Sequence, residues 1–309
     1  MRKLYLSLIL FTSIVGCQSG TSSLQPNQQA SFIASTDCDQ TLVEHDSDLS
    51  LCREGYQLGF NLSHNTADWV SYQLTPERVI GYGQDYDFIP DPDLPSSAQI
   101  APSTYLTTGY DRGHLAPAAS MDFTPSSAQQ SYLMSNIVPQ LPAFNRQGWA
   151  ELEAWERQCT LEIGHLMVIT GPIYYTRDQQ WLAQKIRIPS AYFKAYASPI
   201  NQQTTMAFVI PHQGFSLSDV SQYQVSMAQL EGLTKLRLFP QFGLNKHELG
   251  DLCGLNTNST ATNSSFSCED KRYCSQMQNC QEAQFYLNTC GVSRLDNDND
   301  GIACETLCY

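Results

Sequence analysis

The cysteines divide this chain into a large body and a small, heavily cross-linked end. Of eleven cysteines, Cys17 follows an apolar N-terminal run, four lie between residues 38 and 253, and six lie after residue 260. Besides Cys17 their number is even, which in an exported chain predicts disulfides formed in an oxidising compartment. The dense cysteines after residue 260 predict a small module that disulfides stabilise. The pairing stays open, but Cys38 and Cys52 close a short loop and are the first pair expected.

Residues 1–17 have the pattern of an export signal. A basic start precedes an apolar run from Leu4 to Val15, which is too short to span a bilayer. Residues 14–17 (IVGC) resemble a bacterial lipobox, in which the cysteine is lipidated; the alternative is an ordinary signal peptide with Cys17 incidental. We therefore expect a lipid anchor in the membrane, a flexible tether over residues 18–35, and an outer-membrane or cell-surface lipoprotein, otherwise a periplasmic or secreted protein.

The formal net charge of the chain is -13, with 17 Lys and Arg against 30 Asp and Glu. This balance argues against a nucleic-acid-binding protein with a broad basic face. If the ligand is a polyanion, a few arginines and a divalent cation must attract it locally.

The residues that can perform chemistry concentrate between Thr104 and Arg157. Within this stretch the run Asp-Arg-Gly-His ends at His114, and Pro117 prevents that histidine from lying inside a continuous helix. We expect a strand over residues 105–110 that leads into this run. A histidine that accepts a proton, an oxygen ligand for a hard metal, a carboxylate and two arginines are the groups that phosphodiester cleavage requires. The other five histidines have no comparable neighbours, so they are expected to be surface or structural imidazoles.

A helix is predicted from Gln147 to about Ile163 by its apolar periodicity. Asn145, Glu153 and Arg157 are separated by multiples of four residues, so they are expected on one slowly winding stripe of that helix. An amide, a carboxylate and a guanidinium would then face the same cleft. The alternatives are an N-cap role for Asn145 and a surface ion pair between Glu153 and Arg157.

The rest of the body alternates short apolar runs with turns. Residues 84–103 contain four prolines and four aspartates, which indicates a surface loop. Residues rich in Asn, Thr and Ser predict a linker over 256–267. Strands are expected at Tyr56 to Phe60, Trp69 to Leu74, Leu166 to Ile173 (buried and central), Ala191 to Ala197 and Thr205 to Ile210, and a helix at Ser218 to Thr234.

These motifs, in this order and spacing, resemble the sugar-non-specific DNA/RNA endonucleases of the ββα-metal fold. The resemblance covers roughly residues 50–250 and rests on TGYDRGHLAP at 108–117, NIVPQ at 136–140, the stripe from Asn145 to Arg157, and TGP at 170–172. It implies an α+β fold in which helices flank a central, mostly antiparallel sheet. The nuclease domain is expected over residues 36–255.

The resemblance also implies a role for each site residue. His114 would be the general base, Asn145 the direct ligand of Mg²⁺ (or Mn²⁺), and Glu153 the group that holds metal-bound waters; Arg112 and Arg157 would bind phosphate oxygens, and Asn136 would orient the site. The implied activity is hydrolysis of DNA and RNA with little sequence preference, leaving 5′-phosphates. No protein partner is expected.

The cysteine-rich end, residues 268–309, resembles the Excalibur extracellular calcium-binding region. The resemblance rests on CQEA at 280–283 and LDNDNDGIACE at 295–305. Asp296, Asp298, Asp300 and Glu305 are the expected Ca²⁺ ligands, because alternating carboxylates and a bend at glycine can surround one ion. The alternative is a solvated acidic turn.

Two other functions compete with a secreted nuclease. One is a cell-surface calcium-binding or adhesion protein whose nuclease body is inactive, and the other is a phosphodiesterase that acts on small substrates. Retention of His114, Asn145 and both arginines favours an active enzyme over the first.

Overall fold

The computed structural model describes residues 38, 42–81, 83–176, 179–200, 204–255, 268–278, 280–288, 290–296, 303, 304 and 307. The predicted signal, tether and linker lie outside these residues and stay predictions. No helix within the described ranges is long and apolar enough to cross a membrane.

The described chain contains thirteen β-strands and five α-helices, together with several short 3-10 helices. The strands are β1 (Val43–Glu44), β2 (Leu49–Cys52), β3 (Tyr56–Asn61), β4 (Thr66–Leu74), β5 (Asp111–His114), β6 (Ile137–Gln140), β7 (Leu166–Ile173), β8 (Trp181–Leu182), β9 (Ile186–Arg187), β10 (Ala191–Ala197), β11 (Thr205–Pro211), β12 (Gln224–Val225) and β13 (Arg237–Leu238). The helices are α1 (Ala118–Met121), α2 (Pro125–Ser131), α3 (Ala150–Ile163), α4 (Met227–Thr234) and α5 (Cys280–Asn288).

A seven-stranded antiparallel sheet, in the order β12-β11-β10-β7-β4-β3-β2, is the centre of the body. All eight residues of β7 are buried, which confirms the predicted central strand. Its side chains alternate between two cores: Leu166 and Val168 pack with α3 on one face, and Met167 and Ile169 pack with α4 on the other. The expected α+β fold with a central antiparallel sheet is confirmed.

The strands β5 and β6 form a separate two-stranded antiparallel sheet, called here the hairpin although α1 and α2 lie between its strands, in which His114 lies opposite Ile137. Helix α3 follows this hairpin, which gives the ββα order. The predicted strand over residues 105–110 is wrong. Tyr105 ends a short 3-10 helix, and Thr107 has a φ of 62°, so the chain turns before Asp111 instead of running extended into it.

Two helix predictions need correction at their starts. Helix α4 begins at Met227 and not at Ser218, because Ser226 caps it through a reciprocal pair of hydrogen bonds with Gln229. Helix α3 begins at Ala150, after an irregular π-type turn over Phe144–Trp149 that contains a non-helical residue. Glu153 and Arg157 therefore share one regular helix, whereas Asn145 lies on the turn before it.

The proline-rich loop is attached to the body by a buried ion pair. Arg53 donates two hydrogen bonds to Asp91, at 2.9 and 2.7 Å, and both side chains are buried. The backbone of Ile89 also pairs with residues 132 and 134 beside the hairpin. This loop is thus fixed next to β5 and β6.

The predicted disulfide between Cys38 and Cys52 is confirmed. A second disulfide, Cys159–Cys253, joins the last turn of α3 to the end of the body. The C-terminal module contains two more, Cys268–Cys290 and Cys274–Cys304. It also has a small core of its own around Tyr286 and Leu295.

Candidate active site

Asn136 supports the loop that follows His114. Its side-chain oxygen accepts a hydrogen bond from the Ala116 backbone N–H at 2.8 Å, and its amide donates to the carbonyls of Ala116 (3.0 Å) and Ser131 (2.8 Å). The residue is fully buried. The side-chain amide thus holds the backbone of Ala116 and Ser131 in place, which fits the expected role of Asn136 in orienting the site.

The imidazole of His114 packs against two aromatic rings. Its ring centroid is 5.3 Å from that of Phe88 and 5.0 Å from that of Tyr132, and the Tyr132 hydroxyl donates to Asp85 at 2.9 Å. Burial lowers the pKa of His114 to about 4, with Asp85 acting in the opposite direction and Arg112 in the same direction. The imidazole is therefore neutral at neutral pH. Its Nε2 is buried without a hydrogen-bond partner among the described residues, so Nδ1 is the nitrogen that can meet solvent.

Asp111 connects the hairpin to the turn before α3. Its Oδ2 accepts from the Asn145 amide at 3.1 Å, and its two oxygens accept from the Arg146 guanidinium at 2.8 and 2.7 Å. The hydrogen bond from Arg146 is the largest cause that lowers the pKa of Asp111. Sequence reasoning did not assign a role to Asp111 or Arg146. They are 35 residues apart, so no local pattern links them. The available signal was that Arg146 directly follows the predicted metal ligand Asn145.

The described structure leaves the side-chain oxygen of Asn145 without a hydrogen-bond partner. Because Asp111 binds the amide nitrogen, that oxygen is oriented away from the carboxylate and is free to act as a ligand. An amide oxygen is a ligand type that Mg²⁺ accepts. The site thus fits the predicted role of Asn145, and it gives no support to the N-cap alternative, since Asn145 caps no helix.

The two predicted arginines have different neighbours. The Arg112 guanidinium carbon lies 4.4 Å from the ring centroid of Phe88, a cation–π distance. Arg157 donates to the Ser120 hydroxyl at 3.5 Å, and in the described chain no ion pair joins it to Glu153. The alternative of a simple surface ion pair is therefore not observed.

Glu153 is partly buried on α3. Burial raises the pKa of Glu153 to about 7, and the nearby Glu156 acts in the same direction, whereas Lys194 and Arg157 lower it. A neighbouring cation would favour the charged carboxylate.

A buried polar network lies beneath α3 that sequence reasoning missed. Glu156 accepts hydrogen bonds from Lys194 (2.5 Å), Tyr72 (2.7 Å) and Tyr196 (2.9 Å), and all four residues are buried. The Lys194 ammonium also lies 4.7 Å from the Trp149 ring centroid. Lys194 occurs in the strand sequence AYFKAYA, where a lysine among buried apolar residues was an available signal.

The predicted calcium ligands are only partly described. Asp296 is 8% exposed, and Asp298, Asp300 and Glu305 lie outside the described residues. Within the described ranges no group of three or more His, Cys, Asp or Glu side chains could hold a metal ion. The calcium site therefore stays a prediction.

The hairpin β5–β6 with its histidine, followed by α3, defines a nuclease of the ββα-metal class. Residues 37–242 match the model of the DNA/RNA non-specific endonuclease family, and the chain belongs to this family. Residues 271–305 match the Excalibur calcium-binding domain. Both resemblances seen in the sequence are confirmed.

Several relatives are nucleases. Nuclease C1 of Cunninghamella echinulata var. echinulata is 31% identical over 222 residues, covering 66% of this chain and 87% of the relative. Human mitochondrial endonuclease G is 33% identical over 129 residues, covering 41% of this chain and 43% of the relative. The structure of an EndoG/EndoGI complex is similar in fold, with a TM-score of 0.58 at 24% identity, covering 66% of this chain and 94% of that one.

Proposed function

We propose that this chain is an exported, metal-dependent endonuclease that hydrolyses DNA and RNA with little sequence preference and leaves 5′-phosphates. One observation carries the proposal. A neutral, partly exposed His114 lies on a strand that Asp111 fixes to Asn145, and the side-chain oxygen of Asn145 is free for a cation. The base thus lies on β5, and the metal ligand is hydrogen-bonded to the same strand from the turn before α3.

His114 would accept a proton from the water that attacks phosphorus. A general base must be unprotonated, and the lowered pKa of His114 keeps the imidazole neutral. The aromatic rings of Phe88 and Tyr132 limit the rotation of the imidazole. Nδ1 is the nitrogen that would face the water.

Asn145 would hold Mg²⁺ or Mn²⁺ through its side-chain oxygen, with Glu153 binding water molecules of the hydrated ion. When bound, such a cation acts as a Lewis acid that offsets charge on the scissile phosphate and the leaving oxygen. Asp111 keeps the amide in the orientation that presents oxygen outward.

Arg112 and Arg157 would bind phosphate oxygens as negative charge develops. The stacking of Arg112 on Phe88 restricts its guanidinium without using its N–H groups. Contacts of this kind reach phosphate and carry no base information, which supports broad substrate acceptance.

Export is supported by the disulfides of the described chain, which form in oxidising compartments. We infer that the signal over residues 1–17 leads to lipidation of Cys17 and anchors the protein at the outer membrane or cell surface. The Excalibur match supports a bound Ca²⁺ in the C-terminal module. We infer that Asp296, Asp298, Asp300 and Glu305 are its ligands.

Plasmid digestion tests the activity. The full-length protein should nick and then degrade supercoiled plasmid and RNA with Mg²⁺, EDTA should stop the reaction, and added Mg²⁺ should restore it. His114→Ala should abolish cleavage and keep the circular dichroism spectrum of the wild type. His45→Ala is the matched control, because His45 is an exposed histidine outside the hairpin. Cleavage by His114→Ala at the wild-type rate, or cleavage that EDTA leaves unchanged, would contradict the proposal.

A further inference from the structure

Arg146 differs from the other arginines near the hairpin in its exposure. Its side chain is 69% exposed, whereas Arg112 and Arg157 are partly buried. It directly follows Asn145, and both side chains bond the same Oδ2 atom of Asp111. Arg146 is thus the outermost cation next to the proposed metal ligand.

The bond to Asp111 orients the guanidinium and leaves one of its edges free. Nε and Nη2 donate to the two oxygens of Asp111. A guanidinium has five N–H groups, so three remain, and Nη1 and Nη2 can together bind two oxygens of one phosphate. An arginine whose orientation is already fixed loses less conformational entropy when it binds.

Burial separates the two charges of this pair. The Asp111 side chain is 17% exposed and that of Arg146 is 69% exposed, so a larger fraction of the arginine side chain is accessible to solvent. A polyanion that approaches this surface therefore meets the positive group first. Because the chain carries a net charge of -13, each exposed cation at the site matters for attraction.

We propose that Arg146 binds a phosphate of the nucleic-acid strand that flanks the cleaved phosphate, through the guanidinium edge that Asp111 leaves open. The proposal rests on the proposed nuclease function and adds a substrate contact to it. It assigns Arg146 to strand binding and not to the chemical step, because its side chain is exposed and its Nε and Nη2 already bond Asp111.

The salt dependence of cleavage tests this assignment. A protein group that neutralises one phosphate adds about 0.9 to the slope of log affinity against log salt for double-stranded DNA. In Arg146→Gln, we expect the slope of log kcat/KM against log salt to become shallower by about 0.9. When NaCl rises from about 50 to about 200 mM, the factor by which kcat/KM falls should therefore be roughly 3.5 times larger for the wild type than for the variant. Arg146→Lys, which keeps the charge, should keep most of the slope.

Arg237→Gln is the matched control. Arg237 is 66% exposed and pairs with Glu44 at 2.9 Å, so it resembles Arg146 in exposure and partner but lies on β13. Its substitution should leave the salt slope unchanged. If both variants change the slope equally, Arg146 contributes only to the general charge and the proposal is overturned.

A second outcome would also overturn it. If Arg146 serves only to orient Asp111 and Asn145, Arg146→Gln will need more Mg²⁺ for half-maximal activity and will keep the wild-type salt slope. Absence of any cleavage by the wild type would instead contradict the proposed nuclease function, so the two failures are distinguishable.

Discussion

The buried pair Lys194–Glu156 allows a quantitative prediction about stability. In Lys194→Met, Glu156 loses its cation and keeps only the hydroxyls of Tyr72 and Tyr196 as donors. Removing one partner of a buried ion pair costs about 3–5 kcal/mol. Glu156 can limit this cost by taking up a proton. At about pH 7 protonation costs about 3.7 kcal/mol, because an ordinary glutamate titrates near pH 4.3.

We therefore expect Lys194→Met to lower the free energy of unfolding by about 3–4 kcal/mol at pH 7. At about pH 5 the protonation cost falls to about 1 kcal/mol, so the destabilisation should be smaller. Urea unfolding with intact disulfides, followed by tryptophan fluorescence at both pH values, measures this difference. The double variant Lys194→Met with Glu156→Gln should recover most of the loss, since no charge remains buried.

Lys185→Met is the control, because Lys185 is exposed and makes no ion pair in the described structure. It should change the free energy of unfolding by less than about 0.5 kcal/mol. A loss below about 1 kcal/mol for Lys194→Met at pH 7 would refute the reasoning. An equal loss at pH 5 and pH 7 would refute the role given to the carboxylate charge.

Three other predictions follow from the site and its supports. In the metal-free protein the His114 imidazole should titrate near pH 4 by NMR, well below 6.5, and a midpoint at 6.5 would contradict its burial. Burial also lowers the pKa of His212 to about 4. As the pH drops from about 6.5 to about 4, His212 takes up a proton in the unfolded chain before it does in the folded chain, so the free energy of unfolding should fall by up to about 3 kcal/mol. His212→Gln should reduce this pH dependence in urea unfolding, and an unchanged curve would count against it. Asn136→Ala leaves the buried backbone N–H and C=O of Ala116 and the C=O of Ser131 without their side-chain partner. Thermal unfolding should therefore show that the free energy of unfolding falls by about 3 kcal/mol. A fall of less than about 1 kcal/mol would show that water replaces the amide.

Local sequence predicted the elements whose signal is local. The apolar run from Leu166 to Ile173 is a buried strand because both of its faces meet a core. The helix that carries Glu153 and Arg157 follows from its periodicity. Cys38 and Cys52 pair because few residues separate them. Pro117 predicted that His114 lies outside a continuous helix, and His114 ends strand β5.

Contacts between residues far apart in the sequence fix the parts of the structure that local sequence does not predict. Gly148 packs so closely on Phe215 that an added Cβ would lie 2.5 Å from its carbonyl oxygen. Beside it the chain makes an irregular turn, which takes Asn145 off the regular helix. The partners of Asp111 and of Lys194 are each more than 30 residues away, so no pattern in a short window indicates them.

The disulfide Cys159–Cys253 determines how a mechanical load would pass through the body. A pull on the chain beyond residue 253 would reach Cys159 directly through the sulfur atoms. Strands β7 to β13 lie between these cysteines and would bear none of that tension. The load would pass through Cys159 near the end of α3, so traction on the C-terminal module would act on the helix that bears Glu153 and Arg157 and would bypass strands β7 to β13.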